Sequence, residues 1–307
     1  MTSAMALPLT ERRSRRRRFL NSAGPMSPGW GQVMNATAAP VSPQRRFKIS
    51  SPASSSTSFA IAIAVVVLAF APASFALRQT YQRSYRLDFG GRFDLSNING
   101  SIQIDGWERD EVEVRAEKST TGDERDLDRV FIEVESDESH VSVQTRYPQG
   151  DAAEVNVEYH VLVPYRVMLS NVATVNGSVV VRGISGGGEI HSVNGNLDIT
   201  ESSGRFNART MNGNVQLKLQ HLSIGDAPMR LETVNGSVVL GLPDDARADL
   251  YAKSTNGELH SELPVKTGRP GGSPGRQLHV TLGLGGGPIV LRNVNGGIWV
   301  VREEPSV

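Results

Sequence analysis

Val175-Asn-Gly-Ser-Val-Val180, Val193-Asn-Gly-Asn-Leu-Asp198 and Met211-Asn-Gly-Asn-Val-Gln216 are three copies of one short motif, and each Asn stands 18 residues from the next. Further Asn-Gly pairs occur at 99–100, 235–236, 256–257 and 295–296. The intervals after the third copy are 23, 21 and 39 residues, the last close to two repeats with a Gly/Pro-rich insertion around Gly268–Gly275. A fixed period of this kind is the mark of stacked units that cannot bury an apolar face alone.

Laid over one another, the copies sort into columns. Val179, Leu197 and Val215 stand two residues after the glycine, and Val181, Ile199 and Leu217 stand two further on. Both columns are expected to point inward. Val175, Val193 and Met211, just before the Asn, are also apolar and are expected inward on composition. Ser178, Asn196 and Asn214 follow the glycine as a polar column. Gly186 and Gly204 mark a second turn near mid-repeat. Each unit therefore reads as two short strands with a corner after each. Asn and Gly suit a corner because both tolerate positive φ, and stacked Asn side chains can hydrogen-bond along the axis.

A second reading takes each Asn-Gly as a type I′ hairpin turn, with Leu231-Glu-Thr-Val-Asn-Gly-Ser-Val-Val-Leu240 as a good example. Equal spacing and aligned columns favour coils over hairpins, and the two can coexist. The expected fold is all-β, a β-solenoid or β-roll of short strands with Asn-Gly corners, with room for an antiparallel N-terminal part.

Working outward, period-two alternation runs through the body: Val112, Val114 and Ala116; Ile132 and Val134; Val155 to Val163; Leu278 to Leu284. This is the pattern of strands with one buried face. Only Gly122–Arg129 looks briefly helical. Frequent Gly and Pro leave no room for a long helix.

The N-terminal segment is of another kind. Phe59–Phe70 is an uninterrupted apolar run, preceded by Arg45, Arg46 and Lys48 and followed by Pro72 and Ser74-Phe75-Ala76. Basic, apolar and small-residue regions in that order describe a secretory signal with a cut after Ala76. The run is short for a membrane span, which needs roughly 20 residues; an uncleaved anchor is the alternative. Arg16-Arg17-Arg18-Phe19-Leu20 resembles a twin-arginine motif, but no apolar region follows it directly. The expected organisation is a basic leader over 1–58, an apolar region and cleavage site over 59–76, and a single all-β domain over 77–307, with repeats from about 172 to 301. That reading makes the protein exported, to the periplasm, cell surface or medium.

The formal net charge is zero over 307 residues, yet the two parts differ. Residues 1–76 hold nine basic residues and one acid, leaving 23 basic and 31 acidic residues for 77–307. An acidic body argues against nucleic acid, whose phosphates need clustered Lys and Arg. The chain has no cysteine, so disulfides, Cys-type zinc sites and thiol nucleophiles are excluded.

Gly90-Gly91-Arg-Phe-Asp-Leu-Ser-Asn-Ile-Asn-Gly-Ser-Ile-Gln-Ile-Asp-Gly-Trp107, the strand Glu111-Val-Glu-Val-Arg115, Val161-Leu-Val-Pro164 and the tandem Val-Asn-Gly-Ser-Val-Val units together resemble the bacterial adhesin-like domain of unknown function DUF4097. The resemblance spans about residues 85–301. It implies a β-solenoid-like fold in exported or membrane-linked proteins and a surface or envelope role, and it brings no catalytic residues with it.

A search for chemistry finds little. No nucleophile elbow, phosphate-binding loop, His-Glu-x-x-His or dinucleotide fingerprint is present. Gly186-Gly187-Gly188-Glu189 and Gly283–Gly287 open no helix and read as turns. The calcium β-roll nonapeptide is absent. Asp244-Asp245 and Asp123, Asp126 and Asp128 read as solvated loop acids rather than a ligand set, because no full set is visible. No metal and no cofactor are expected.

The 18-residue register sets His191 one rung from Arg209 and Asp198 in the column of Gln216. Glu189, His191, Asp198 and Arg209 are then expected to share one solvent-facing surface. Scattered Tyr and Trp side chains read as core or contact residues, with Trp299 closing the last rung. The functional expectation is a non-enzymatic interaction module whose best binding candidates are Ser178, Asn196 and Asn214 beside His191 and Arg209. Its partners would be surface glycans or envelope proteins; it would touch membrane only through an uncleaved signal, and self-association through an open solenoid end is a further expectation. The rivals are a polysaccharide lyase or hydrolase on the same scaffold and a purely structural envelope component that binds a protein.

Overall fold

The computed structural model describes residues 77–148, 154–223, 225, 227–263 and 276–303. The basic leader and the signal region expected before Leu77 lie outside the described residues. Among those described, no helix is long and apolar enough to cross a membrane.

The N-terminal elements are β1 (Leu77–Arg86), β2 (Arg92–Ser96), β3 (Ile102–Trp107), β4 (Glu111–Thr120), helix α1 (Arg125–Arg129), β5 (Phe131–Ser136), β6 (His140–Arg146) and β7 (Val155–Pro164). The repeats follow as β8 (Met168–Asn176), β9 (Val179–Arg182), β10 (Gly188–Asn194), β11 (Leu197–Ser203), β12 (Phe206–Asn212), β13 (Val215–His221), β14 (Met229–Asn235) and β15 (Val238–Leu242). The chain ends with β16 (Ala248–Asn256), β17 (Leu259–Ser261), β18 (Gln277–Leu282), β19 (Pro288–Asn295) and β20 (Ile298–Arg302).

These strands form two ten-stranded sheets. The first runs β1-β4-β7-β3-β9-β11-β13-β15-β20-β17, and the second runs β18-β16-β19-β14-β12-β10-β8-β2-β6-β5. A strand of the second sheet turns an Asn-Gly corner and continues as a strand of the first, which makes one rung. Rungs stack in parallel and in register: Asn194 pairs with both Asn176 and Asn212, and Leu197 with both Val179 and Val215. Coils rather than hairpins are therefore correct for every Asn-Gly in the described chain. The short charged helix appears where the sequence suggests one.

The order of rungs departs from the order of the chain at both ends. The β2–β3 rung lies between β6–β7 and β8–β9, and the last rung in sequence, β19–β20, is inserted between β14–β15 and β16–β17. Antiparallel strands then finish the stack: β4 and β1 beyond β7, β5 beyond β6, and β18 beyond β16. Trp299 therefore does not close the terminal rung. It sits on β20, inside the stack order, with its side chain on the outer face and 38% exposed.

The core is a set of aliphatic columns between the sheets. Val179, Leu197, Val215, Val238 and Ile298 form one, and Val181, Ile199, Leu217, Leu240 and Val300 the next, all buried. Facing them are Val172, Ile190, Ala208, Leu231, Leu291 and Ala252. Each fully buried aliphatic side chain contributes about 1.5–3 kcal/mol relative to exposure, so the stack as a whole, rather than any single rung, carries the stability. At the N-terminal end, buried Lys118 donates from Nζ to the carbonyls of Leu127 (2.8 Å) and Val130 (2.9 Å), tying α1 to β4. Burial lowers the pKa of that amine against the opposing pull of Asp128.

Candidate functional site

The Asn-Gly corner is built from side-chain ladders that run along the stack. Outermost, Asn176 donates from Nδ2 to Oδ1 of Asn99, Asn194 to Asn176, Asn212 to Asn194, Asn235 to Asn212, Asn295 to Asn235 and Asn256 to Asn295, all at 2.8–2.9 Å. Every Asn of the seven pairs takes part, whatever its place in the chain. Tyr147 ends the ladder at the N-terminal side: its hydroxyl donates to the carbonyls of Asn99 and Val155, both at 3.3 Å. Burial pushes its pKa up to about 12.

Inside the corner, two residues before each Asn, runs a column of buried polar side chains: Asn97, Thr174, Ser192, Thr210, Thr233, Asn293 and Ser254. Ser192 donates to the carbonyl of Gly177 (2.9 Å), Thr210 to that of Gly195 (2.9 Å) and Thr233 to that of Gly213 (2.8 Å). Each satisfies a backbone group of the neighbouring rung at a place where it faces away from water, as buried carbonyls require.

This column corrects the expectation for Val175, Val193 and Met211. With the hydroxyl pointing in, the next residue must point out, because side chains alternate along a strand. Met211 is 50% exposed, and Val175 and Val294 are 39% exposed. Positive φ, expected of both corner residues, is used by the glycine at Gly100 (123°), Gly213 (156°), Gly236 (153°) and Gly296 (133°). Asn at these corners does not use positive φ; among the described residues only Glu201 does so without being glycine. Gly195 is required by proximity, since a Cβ there would lie 1.9 Å from the carbonyl oxygen of Gly177.

Ser178, Asn196 and Asn214 form a third ladder. The Asn196 N–H donates to Ser178 Oγ (3.1 Å), Asn214 N–H to Asn196 Oδ1 (2.8 Å) and Ser237 N–H to Asn214 Oδ1 (2.8 Å). These three candidates thus hold rung to rung through their side-chain oxygens.

His191 and Arg209 are brought together on the outer face of the second sheet, paired in register on β10 and β12. Their row continues through Glu232, Arg292 and Lys253. Glu232 lies between two cations, 3.9 Å from Arg209 Nε and 3.8 Å from Arg292 Nη1. Glu189 lies 4.0 Å from His191 Nε2. A shallow depression of about 210 Å³ is lined by Glu189, His191, Asn207, Arg209, Arg230 and Glu232. Asp198 is not part of it. It lies on β11 of the other sheet, where Gln216 Nε2 donates to its Oδ1 (3.3 Å), because the corner between residues 194 and 197 carries the chain across.

Beside the charged row runs the outward apolar row of Ile98, Val175, Val193, Met211, Val234 and Val294. Sequence reasoning missed both this row and the inner hydroxyls. The Ser or Thr two residues before Asn in the copies at 176, 194, 212, 235 and 256 was the available signal. Among the described residues, no group of three or more His, Asp or Glu side chains is arranged to hold a metal ion.

The parallel rungs with Asn-Gly corners coincide with a known family: the model of Toastrack DUF4097 matches residues 96–274. The chain is a Toastrack protein. No curated protein matches it. Two solved structures similar to this Toastrack chain are a "putative cell adhesion protein" of Clostridium sporogenes and a "putative adhesin" of Bacteroides fragilis. The first is 11% identical, covering 73% of this chain and 100% of its own, with a TM-score of 0.39. The second is 12% identical, covering 73% and 97%, with a TM-score of 0.38. Those descriptions belong to the two proteins and do not say what this Toastrack chain binds.

Proposed function

We propose that this chain is an exported, non-enzymatic, adhesin-like interaction module that binds through the outer face of its second sheet. The observation that supports this reading is the repetition on that face: an apolar row and a charged row, side by side, at the rung spacing of roughly 4.8 Å. His191, Arg209 and Arg230 around the shallow depression are the residues assigned to contact a partner. Ser178, Asn196 and Asn214 support the corner beside it. Binding spreads over many weak contacts and gains strength from multivalency. Export rests on the basic, apolar and small-residue order up to Ala76.

The test is a binding and turnover screen of residues 77–307 against a broad polysaccharide and envelope-protein panel. The expected result is retention of a partner without product, weakened at least tenfold by Arg209→Glu with Arg230→Glu. Release of sugar product would replace this reading with a hydrolase or lyase. Silence in both channels would leave a purely structural role.

A further inference from the structure

The four edge strands of the two sheets are not equally guarded. An open edge presents unpaired N–H and C=O groups and is normally blunted by charge, Pro, brevity or cover. At the N-terminal end β1 carries Arg78, Arg83 and Arg86, and β5 carries Glu133 and Glu135. At the other end β17 is only three residues long. The remaining edge, β18, is Gln-Leu-His-Val-Thr-Leu, with no formal charge and no proline over six residues. Among the described residues it pairs only with β16.

The pairing with β16 determines which groups of β18 face outward. Ser254 N–H donates to the Arg276 carbonyl at 3.0 Å, so Arg276 and Ser254 are a hydrogen-bonded pair. Along an antiparallel ladder such pairs alternate with non-bonded ones. Leu278, Val280 and Leu282 therefore direct their backbone groups to β16, and Gln277, His279 and Thr281 direct theirs away from it, to an edge with no partner among the described residues. The side chains of these three are exposed on the outer face, while Val280 and Leu282 are buried. His279 is held in place by stacking on Tyr251, ring centroids 4.1 Å apart.

We propose that β18 is a dimerisation edge that pairs with the β18 of a second copy, antiparallel about His279. In that register His279 meets its own copy, and Gln277 meets Thr281 of the other chain in both directions. All outward N–H and C=O groups of the three residues are then satisfied. The sheet continues across a two-fold axis, and the contact closes on itself, as an isologous interface does. A head-to-tail stack lacks this self-complementarity: it would set uncharged β18 against Glu133 and Glu135 of β5, of which Glu133 is already paired with Arg146 at 2.9 Å. Pairing two copies doubles the proposed binding face, yet the inference stands without that reading.

Sedimentation velocity on residues 77–307, which fall within the one compact unit Ala69–Val307, tests it across a wide concentration range. The expected result is a monomer–dimer equilibrium. His279→Pro removes an outward N–H and no bond to β16, and should abolish the dimer. Gln277→Lys with Thr281→Lys sets like charges opposite each other and should also leave monomer, with unchanged circular dichroism. Gln277→Glu with Thr281→Lys sets opposite charges together across the two-fold and should restore the dimer. Arg83→Glu on β1 should leave it unchanged. Monomer at every concentration, or a dimer indifferent to both lysine and charge-swap variants, would overturn the proposal.

Discussion

The middle of the stack and its two ends use the same corner but not the same route. From β8 to β15, neighbours in sequence are neighbours in space. At each end the chain places one rung, then returns to put another beside it, so that β2–β3 and β19–β20 lie inside rungs that are closer to them in space than in order. Asn99, Asn256 and Asn295 nevertheless join the ladder with the same 2.8–2.9 Å bonds as the middle. Corner chemistry therefore makes any rung a fit for any other. It says that rungs stack; it does not say in which order.

The sharpest way to break this comparison is at the glycine column. Gly195→Ala forces a Cβ to within 1.9 Å of the Gly177 oxygen in a rung clamped on both sides. We expect a loss of at least about 3 kcal/mol in denaturant unfolding, the upper range for overpacking. The same change at Gly257 meets the Gly296 oxygen at 1.8 Å, but the β17 strand that follows it is a sheet edge paired with β20 alone among the described residues and can move, so the loss should be about 1 kcal/mol. Equal losses would mean that the ends are as rigid as the middle.

Next in size is Thr210→Val, which keeps the shape and removes the hydroxyl bonded to Gly195. A buried carbonyl without its partner predicts a loss of about 1–2 kcal/mol by chemical denaturation. No change would assign the inner column to space-filling alone. The smallest effect is expected in the exposed ladder. Asn194 makes two ladder bonds and Asn256 one. Asn194→Ala should cost about 1 kcal/mol and Asn256→Ala about half of that, with amide exchange rising around both neighbours of Asn194 and around only one of Asn256.

Much of this was legible before any coordinates. Equal spacing of Asn176, Asn194 and Asn212 announces parallel rungs, and the columns at 179 and 181 announce the core. The same register pairs His191 with Arg209. What misled was composition: Val175, Val193 and Met211 are apolar and yet lie outside, because alternation along the strand is set by Ile190 and Ser192 or Ala208 and Thr210, whose burial leaves the residue after the hydroxyl, Val193 or Met211, on the far side. Asp198 was misplaced for a related reason. It is near His191 in sequence, but a corner intervenes, and a corner in a solenoid moves a residue to another sheet.

By itself the sequence determined the repeat, the all-β class and the Asn-Gly corner, since these rest on local period and on residue types that suit one geometry. Only the tertiary structure decided the order of rungs, the outward apolar row and the place of β18 at the edge of its sheet among the described residues. Those depend on which strands meet across gaps of tens of residues, as Asn235 does with Asn295, and the backbone pairing that joins them is nearly indifferent to side-chain identity.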